Sequence, residues 1–346
     1  GDRNFVPAGS ALAVDRELFS KEITKKISNH PLITLKRQEV VEIPDPGPVI
    51  IATGPLTSPK LSKEISQLIG QEYLYFYDAL SPIVDANTID YDTAYFASRY
   101  GKGGADYLNC PMDEKQYYDF IRELNNAEKV PMASFEKPVY FEGCMPIEVL
   151  AERGPKTLAF GPLKPVGLIN PHTGKTAFAV VQLRKENKES SAYNLVGFQT
   201  KLTYPEQKRL VRMIPGLEKA EFFRFGAIHR NTFINSPGLL SNELELKSRS
   251  GTYFAGQIIG VEGYLESASM GLLASLSAVA KILGKDYIPP PRDTALGALI
   301  NYLTTSNVNN FQPMNINFGL FRIGEIKIRD KKERNQKIAL NALEKI

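Results

Sequence analysis

Apolar positions give the first outline of the chain. Over 16–29 they recur at Leu18, Phe19, Ile23 and Ile27, the spacing of a helix with one apolar side, and His30-Pro31 closes it. Three short runs follow, at 32–35, 39–43 and 49–52, and their content predicts strands. The last, Val49-Ile50-Ile51-Ala52, is continuously apolar, which suits a parallel strand covered on both faces. An amphipathic helix is expected over 56–70. From Tyr73 aromatics and prolines become dense and helices thin out until 113–126, so 75–222 reads as a mixed α+β insertion. After Phe225 strand and helix alternate again. A short strand near Tyr253-Phe254 leads through spaced glycines into a small-residue helix ending near Leu283. A further helix over 293–305, a polar-aromatic loop over 307–317 and a terminal helix complete the pattern.

Composition narrows the class. A chain of 346 residues, 43% hydrophobic and 23% charged, has room for one large or two ordinary domains with a core. A net charge of +4 neither demands nor excludes a polyanionic partner. The segment 327–337 is locally basic, either a solvated terminal helix or an arm that touches phosphates. Two cysteines, Cys110 and Cys144, cannot build a disulfide framework, and without a CxxC or Cys/His cluster no metal site is expected. No signal-peptide pattern and no apolar run of membrane-spanning length stand out, so a cytoplasmic protein without a membrane partner is expected.

Two distant segments carry nucleotide-binding character. In the stretch from Tyr253 to Gly271, glycines at 256, 260 and 263 remove Cβ atoms where a flat or phosphorylated ligand would approach the backbone. Gly271 and Ala274-Ser275 would let the following helix lie tight on a sheet. Any β-turn-α unit can share this pattern, so alone it is an even choice between cofactor binding and simple packing. Ala52-Thr53-Gly54 ends the earlier apolar strand, where open α/β sheets bind ligands. Three further segments concentrate chemistry. Cys144, between Gly143 and Met145-Pro146, sits in a sequence that favours a tight turn, and a thiol there is either a nucleophile or a buried packing group. His229 and Arg230 could serve a heterocycle and an anion or could satisfy interior hydrogen bonds. The loop Asn310-Phe311-Gln312-Pro313-Met314-Asn315-Ile316-Asn317 offers side-chain amides suited to a ring edge.

Taken in order, Val6–Arg16, Ala52–Ser58, Leu74–Ala79, Phe141–Glu148, His229–Pro237, Gly256–Ala268 and Asn310–Gly319 resemble the bacterial folate- and flavin-dependent tRNA uracil-5-methyltransferases. The resemblance implies an α/β fold: a Rossmann-like FAD-binding domain from 1–74 and 223–346, with an α+β insertion domain at 75–222. It implies C5-methylation of a T-loop uridine in tRNA, with methylenetetrahydrofolate as carbon donor, FAD as carrier and reductant, and NAD(P)H as the electron source. Cys144 would be the nucleophile that adds at C6 of the uracil. Ala52, Thr53, Gly54, Gly256, Gln257, Gly260, Gly263 and Tyr264 would hold the flavin, with Tyr264 against its ring. His229 and Arg230 would contact folate. The family opens with a strand–Gly-x-Gly-x-x-Gly–helix unit and a second cysteine loop, which these residues lack, so the FAD domain is expected to be N-terminally incomplete and, as it stands, weak in FAD binding and turnover. An rRNA-directed paralogue, a related wobble-uridine flavoprotein that works with a GTPase, and a non-catalytic RNA-binding remnant are the competing expectations. The oligomeric state is left open.

Overall fold

The computed structural model describes residues 2–7, 13–45, 47–71, 74–101, 104–131, 140, 145–321 and 328–345, without the side chains of 2, 74–78 and 230. The chain starts with β1 (Phe5–Val6) and β2 (Ala13–Val14), an antiparallel pair, and α1 (Arg16–Ser28). Asp15 caps α1 by accepting the Leu18 amide at 3.0 Å. The apolar side of α1 is not buried: Leu18, Phe19, Ile23 and Ile27 remain 38–40% exposed. The strands expected at 32–35 and 39–43 do not form, and Leu32 is 89% exposed. Apolar content suited those runs to a sheet, but a strand needs a partner, and neither has one among the described residues.

Next come β3 (Val49–Ile51) and α2 (Pro59–Ile69). The expected helix over 56–70 starts late because Ser58 caps it and Pro59 occupies its first position. Then follow β4 (Leu74–Ala79), β5 (Ile83–Asp85), β6 (Tyr95–Ala97), β7 (Tyr107–Met112), α3 (Glu114–Asn126), α4 (Ile147–Glu152) and α5 (Thr157–Phe160). After these come β8 (Ala179–Lys185), β9 (Ala192–Leu195), α6 (Tyr204–Val211), β10 (Phe222–Arg224) and β11 (Ile228–Phe233). The last part holds α7 (Ser236–Leu239), β12 (Thr252–Phe254), α8 (Tyr264–Ile282), α9 (Ala295–Thr305) and α10 (Lys331–Leu343).

Two compact units result. Unit 1 comprises 1–37 with 77–229, and unit 2 comprises 38–76 with 230–346. Residues 1–37 therefore gather with the insertion segment, whereas the sequence grouped them with 223–346. The cause is local: Asp15 accepts the Lys188 amide, Arg16 pairs with Glu186, and the Lys188 ammonium donates to the Arg3 carbonyl. The chain passes between units at 37–38, within β4 and within β11, and β4 and β11 pair as a two-stranded ribbon.

Unit 1 is built on a six-stranded antiparallel sheet in the order β10-β5-β9-β8-β7-β6. Its central strand β8 is buried at five consecutive positions from Ala179 to Leu183. The face of α3 bearing Tyr117, Phe120, Ile121 and Leu124 packs into the same core, each side chain contributing about 1.5–3 kcal/mol of burial. Asp113 and Gln116 close a reciprocal capping box on α3, which is why this helix is plain in the sequence.

In unit 2, β3 and β12 pair in parallel, Val49 opposite Thr252, Tyr253 opposite Ile50 and Phe254 opposite Ile51. Val49 and Ile50 are only half-buried, less than a doubly covered strand would be, and among the described residues β12 is the only partner of β3. By length and composition α8, with a mean hydropathy of 1.2, could cross a membrane, although the sequence showed no such run. It packs Met270, Leu273, Ala274, Ser277 and Ala278 inward, while Leu265, Leu272, Leu276, Val279 and Ile282 on the rest of its surface remain exposed.

Candidate functional site

The parallel register of β3 and β12 brings the two nucleotide-like segments side by side. The Val49 amide donates to the Gly251 carbonyl at 2.9 Å, and the Ala255 amide to the Ile51 carbonyl at 3.0 Å. Ala52-Thr53-Gly54 thus leaves the sheet next to Ala255-Gly256-Gln257, at the carboxyl ends of both strands, where open α/β sheets bind ligands. Each segment then makes a short 3-10 turn, Gly54–Leu56 and Gly256–Ile259, and the two turns touch. Thr232 ties the first by donating to the Pro55 carbonyl at 3.0 Å. The hydroxyls of Thr53 and Thr57 lie 2.7 Å apart.

The loop at 310–317 joins the same place. The Met314 amide donates to the Gly260 carbonyl at 3.0 Å, the Glu262 amide to the Met314 carbonyl at 3.3 Å, and Asn315 Nδ2 to Glu262 Oε2 at 3.2 Å. The structure therefore gathers Ala52, Thr53, Gly54, Gly256, Gln257, Gly260, Gly263 and Tyr264 in one region of unit 2, with part of the amide-bearing loop beside them. The expected helix runs from Tyr264, and its start at Gly263 has no side-chain cap.

The glycines divide by role. Gly54 and Gly256 have φ of 71° and 80°, a left-handed backbone, and the space a Cβ would fill at Gly54 is open. At Gly260, with φ of 89°, the corresponding space is taken by the ring of Phe311. At Gly263 it is taken by the Glu266 carboxylate. Both absent Cβ atoms make room for this protein's own side chains. Gly271 has nothing within 4 Å of a Cβ, so it is not the tight helix–sheet contact the sequence suggested. Phe311 is the residue the sequence reading missed: it stood among amides expected to read a ring edge, yet it is buried against Phe233 and Tyr302. Its tie to Gly260 has no spacing that would reveal it in advance.

The surface left at the sheet's carboxyl end fits a flat cofactor ring. Ala52 and Thr53 are exposed, the approach to Gly54 is open, and Tyr264 and Leu265 stand 91% and 74% exposed at the start of α8. An aromatic ring this exposed beside an uncapped helix start presents both a stacking face and free backbone donors. These residues are compatible with FAD.

The remaining candidates lie elsewhere. His229 is half-buried in β11 at the end of unit 1, and Arg230 follows it in the strand with its side chain outside the described residues. Cys144 also lies outside them. Its flanks are described. Tyr140 Oη accepts a hydrogen bond from Lys201 Nζ at 2.9 Å, and the fully buried Glu148 carboxylate accepts from the Lys201 amide at 2.8 Å and from Thr200 Oγ1 at 3.0 Å. Burial pushes the Glu148 carboxyl above the ordinary carboxylate range, opposed by these hydrogen bonds. Cys110 is fully buried, and desolvation raises its thiol far above the ordinary cysteine range, so it is chemically inert. Among the described residues no group of three or more His, Cys, Asp or Glu is placed to hold a metal.

Comparison with known proteins gives this arrangement a lineage. A family profile described as glucose inhibited division protein A matches residues 2–286. Methylenetetrahydrofolate--tRNA-(uracil-5-)-methyltransferase TrmFO of Heliobacterium modesticaldum is 58% identical over 345 residues, covering 100% of this chain and 79% of that protein. The protein of the same name from Bacillus subtilis is 53% identical, also covering 100% and 79%. Among solved structures, Aquifex aeolicus GidA in its form II crystal superposes with a TM-score of 0.62 at 18% identity, covering 87% of this chain and 55% of that one. At that identity the likeness speaks to fold, and it agrees with a Rossmann-like FAD-binding α/β architecture carrying an insertion. The chain belongs to the glucose inhibited division protein A family, among the methylenetetrahydrofolate--tRNA-(uracil-5-)-methyltransferases.

Proposed function

We propose that this protein methylates C5 of a T-loop uridine in tRNA, taking the carbon from methylenetetrahydrofolate with FAD as carrier and reductant and NAD(P)H as electron source. The observation that carries this reading is identity of 52–58% to methyltransferases of that name along essentially the whole chain. The meeting of the flavin-like segments at one sheet end supports it. A tRNA substrate makes the cytoplasm its place of work.

The residues divide the task. Ala52, Thr53, Gly54, Gly256 and Gln257 line the sheet end that would receive the flavin, and Tyr264 supplies the ring that would stack on it. Gly260 and Gly263 serve that surface indirectly, by seating Phe311 and Glu266. FAD, when bound, carries the one-carbon unit and supplies the electron pair that brings it to the methyl level. Cys144 activates the acceptor: its thiolate forms a bond to C6 of the uracil and pushes the electron pair towards C5 and O4. C5 would then take the one-carbon unit, whose bond to its carrier would break as the flavin's electron pair and a proton complete the methyl group, and loss of the C5 proton with departure of the Cys144 thiolate would restore the ring. His229 and Arg230 are proposed for the folate.

The test is transfer of labelled carbon from methylenetetrahydrofolate to a tRNA transcript, with FAD and NADPH supplied. Labelled 5-methyluridine is expected in the T-loop, falling at least 10³-fold in Cys144→Ala. An unlabelled transcript with the native protein overturns the reading, and undiminished transfer by Cys144→Ala overturns the role of that cysteine.

A further inference from the structure

We infer that the outer face of residues 156–175 in unit 1, with Tyr100 set against it, is a surface on which the tRNA strand lies. The inference rests on the reading of tRNA as the substrate. Charge points to this face first. Residues 153–185 contain six lysines and arginines and no aspartate or glutamate. Six exceeds the chain's whole net charge of +4, so the remaining residues are together slightly acidic. Lys156, Lys164 and Lys175 are exposed, and none of them meets a carboxylate among the described residues. Other cations of unit 1 are paired: Lys115 with Asp119, Lys129 with Glu152, and Arg209 with Glu123 and Glu206. Lysines without carboxylate partners are available to neutralise phosphates.

Packing turns apolar groups outward along the same stretch. Leu158, Leu163 and Leu168 are buried anchors at five-residue intervals. The Leu163 amide donates to the Leu158 carbonyl at 2.9 Å, the Leu168 amide to the Pro165 carbonyl at 3.1 Å and the Val180 amide to the Leu163 carbonyl at 2.9 Å, which ties the segment to β8. Around these anchors Val166 and Ile169 are exposed, and the ring of Phe160 is 81% exposed. The frame beneath them is fixed, so these groups are presented to solvent by the fold rather than left over by it.

Tyr100 joins from a separate part of the chain. Its amide donates to the Gly167 carbonyl at 2.9 Å, and Arg99 Nη1 donates to the Val166 carbonyl at 2.9 Å. The Tyr100 ring rests against Gly167, where a Cβ would come within 3.0 Å of it. Its φ of 57° is left-handed, a conformation that side chains disfavour, yet the residue is 66% exposed. Burial is therefore not what this strain secures. A wholly apolar partner would leave the lysines uncompensated. An RNA strand offers flat bases to Tyr100 and Phe160 and phosphates to the ammonium groups.

The experiment measures binding of a fluorescent tRNA transcript by anisotropy over a range of salt concentrations, with no folate added. Combining Lys156→Gln, Lys164→Gln and Lys175→Gln is expected to lower the slope of log affinity against log salt by about 2–3. Lys21→Gln, Lys25→Gln and Lys115→Gln together remove the same charge elsewhere on unit 1 and are expected to keep the native slope. Phe160→Ala is expected to weaken binding about 10-fold. Each of these side chains is exposed, so native melting temperatures are expected throughout. A native slope in the first triple variant, native affinity in Phe160→Ala, or an equal loss in the second triple variant would overturn the assignment. Weakened binding of the first triple variant to phosphatidylserine vesicles, with tRNA binding intact, would give the face to lipid and overturn it as well. A native protein that neither binds the transcript nor labels its uridine would instead overturn the substrate reading, so the two failures are told apart.

Discussion

Glu148 is a carboxylate whose chemistry follows from where its neighbours put it. Burial favours its protonated form, so the folded protein holds that proton more tightly than the unfolded chain does. The stability linked to this group is complete below the ordinary glutamate value of about 4.3 and declines as pH rises from there through the raised value. Glu148→Gln cannot titrate, so its melting temperature should lose less between pH 4 and pH 7 than that of the native protein. Parallel melting curves over that range would show that another group sets the slope. Sequence gave part of this site: Cys144 and Glu148 share one local motif. Lys201, whose amide donates to the Glu148 carboxylate, lies far along the chain from it, and no spacing or composition connects the two. Such a contact is created by folding alone.

Helices were the most legible elements, because the signals that start them are local. Asp113 with Gln116 for α3, and Ser58 with Pro59 for α2, mark their starts within a few residues. The runs at 32–35 and 39–43 failed because a strand is a property of two segments, and apolar content cannot say whether a partner exists. The glycines of the candidate cradle show the same limit. Their spacing was plain, but whether an absent Cβ serves a ligand or a neighbouring side chain depends on tertiary contacts. Gly260→Ala and Gly271→Ala separate these cases. The first forces a Cβ into the Phe311 ring from a left-handed backbone and is expected to cost about 1–3 kcal/mol. The second meets open space inside a helix and should stabilise by about 0.5–1 kcal/mol. Equal melting temperatures for the two variants would remove Phe311 as the reason for Gly260.

Across the whole molecule, the candidate flavin surface belongs to unit 2 and the described flanks of the Cys144 segment to unit 1. The sequence foresaw an α/β part interrupted by an α+β part, since the change in aromatic and proline density near Tyr73 and the return of alternation after Phe225 are compositional. It did not foresee that 1–37 would join the insertion, because the ties through Asp15, Arg16 and Lys188 are long-range polar contacts. The division makes a direct expectation for FAD. A ligand at about 100 times its Kd stabilises what it binds by about 2.7 kcal/mol. In hydrogen exchange, added FAD should therefore slow the amides of 49–56 and 252–266 and leave those of β7 and β8 unchanged. Unchanged exchange in 49–56 and 252–266 at saturating FAD would rule out this surface as the flavin site.

The β3–β12 pairing also sets an order of assembly. Val49 and Thr252 are about two hundred residues apart in the chain, whereas every strand of the six-stranded sheet lies between Ile83 and Arg224. On the ribosome that sheet can close before Thr252 has been made, while β3 waits without its partner. Closing so long a loop is entropically costly and slow. The candidate cofactor surface therefore cannot be complete before β12 is made, and a nascent chain stopped short of it would leave β3 without the one partner found for it among the described residues, an apolar edge open to chaperones or to aggregation.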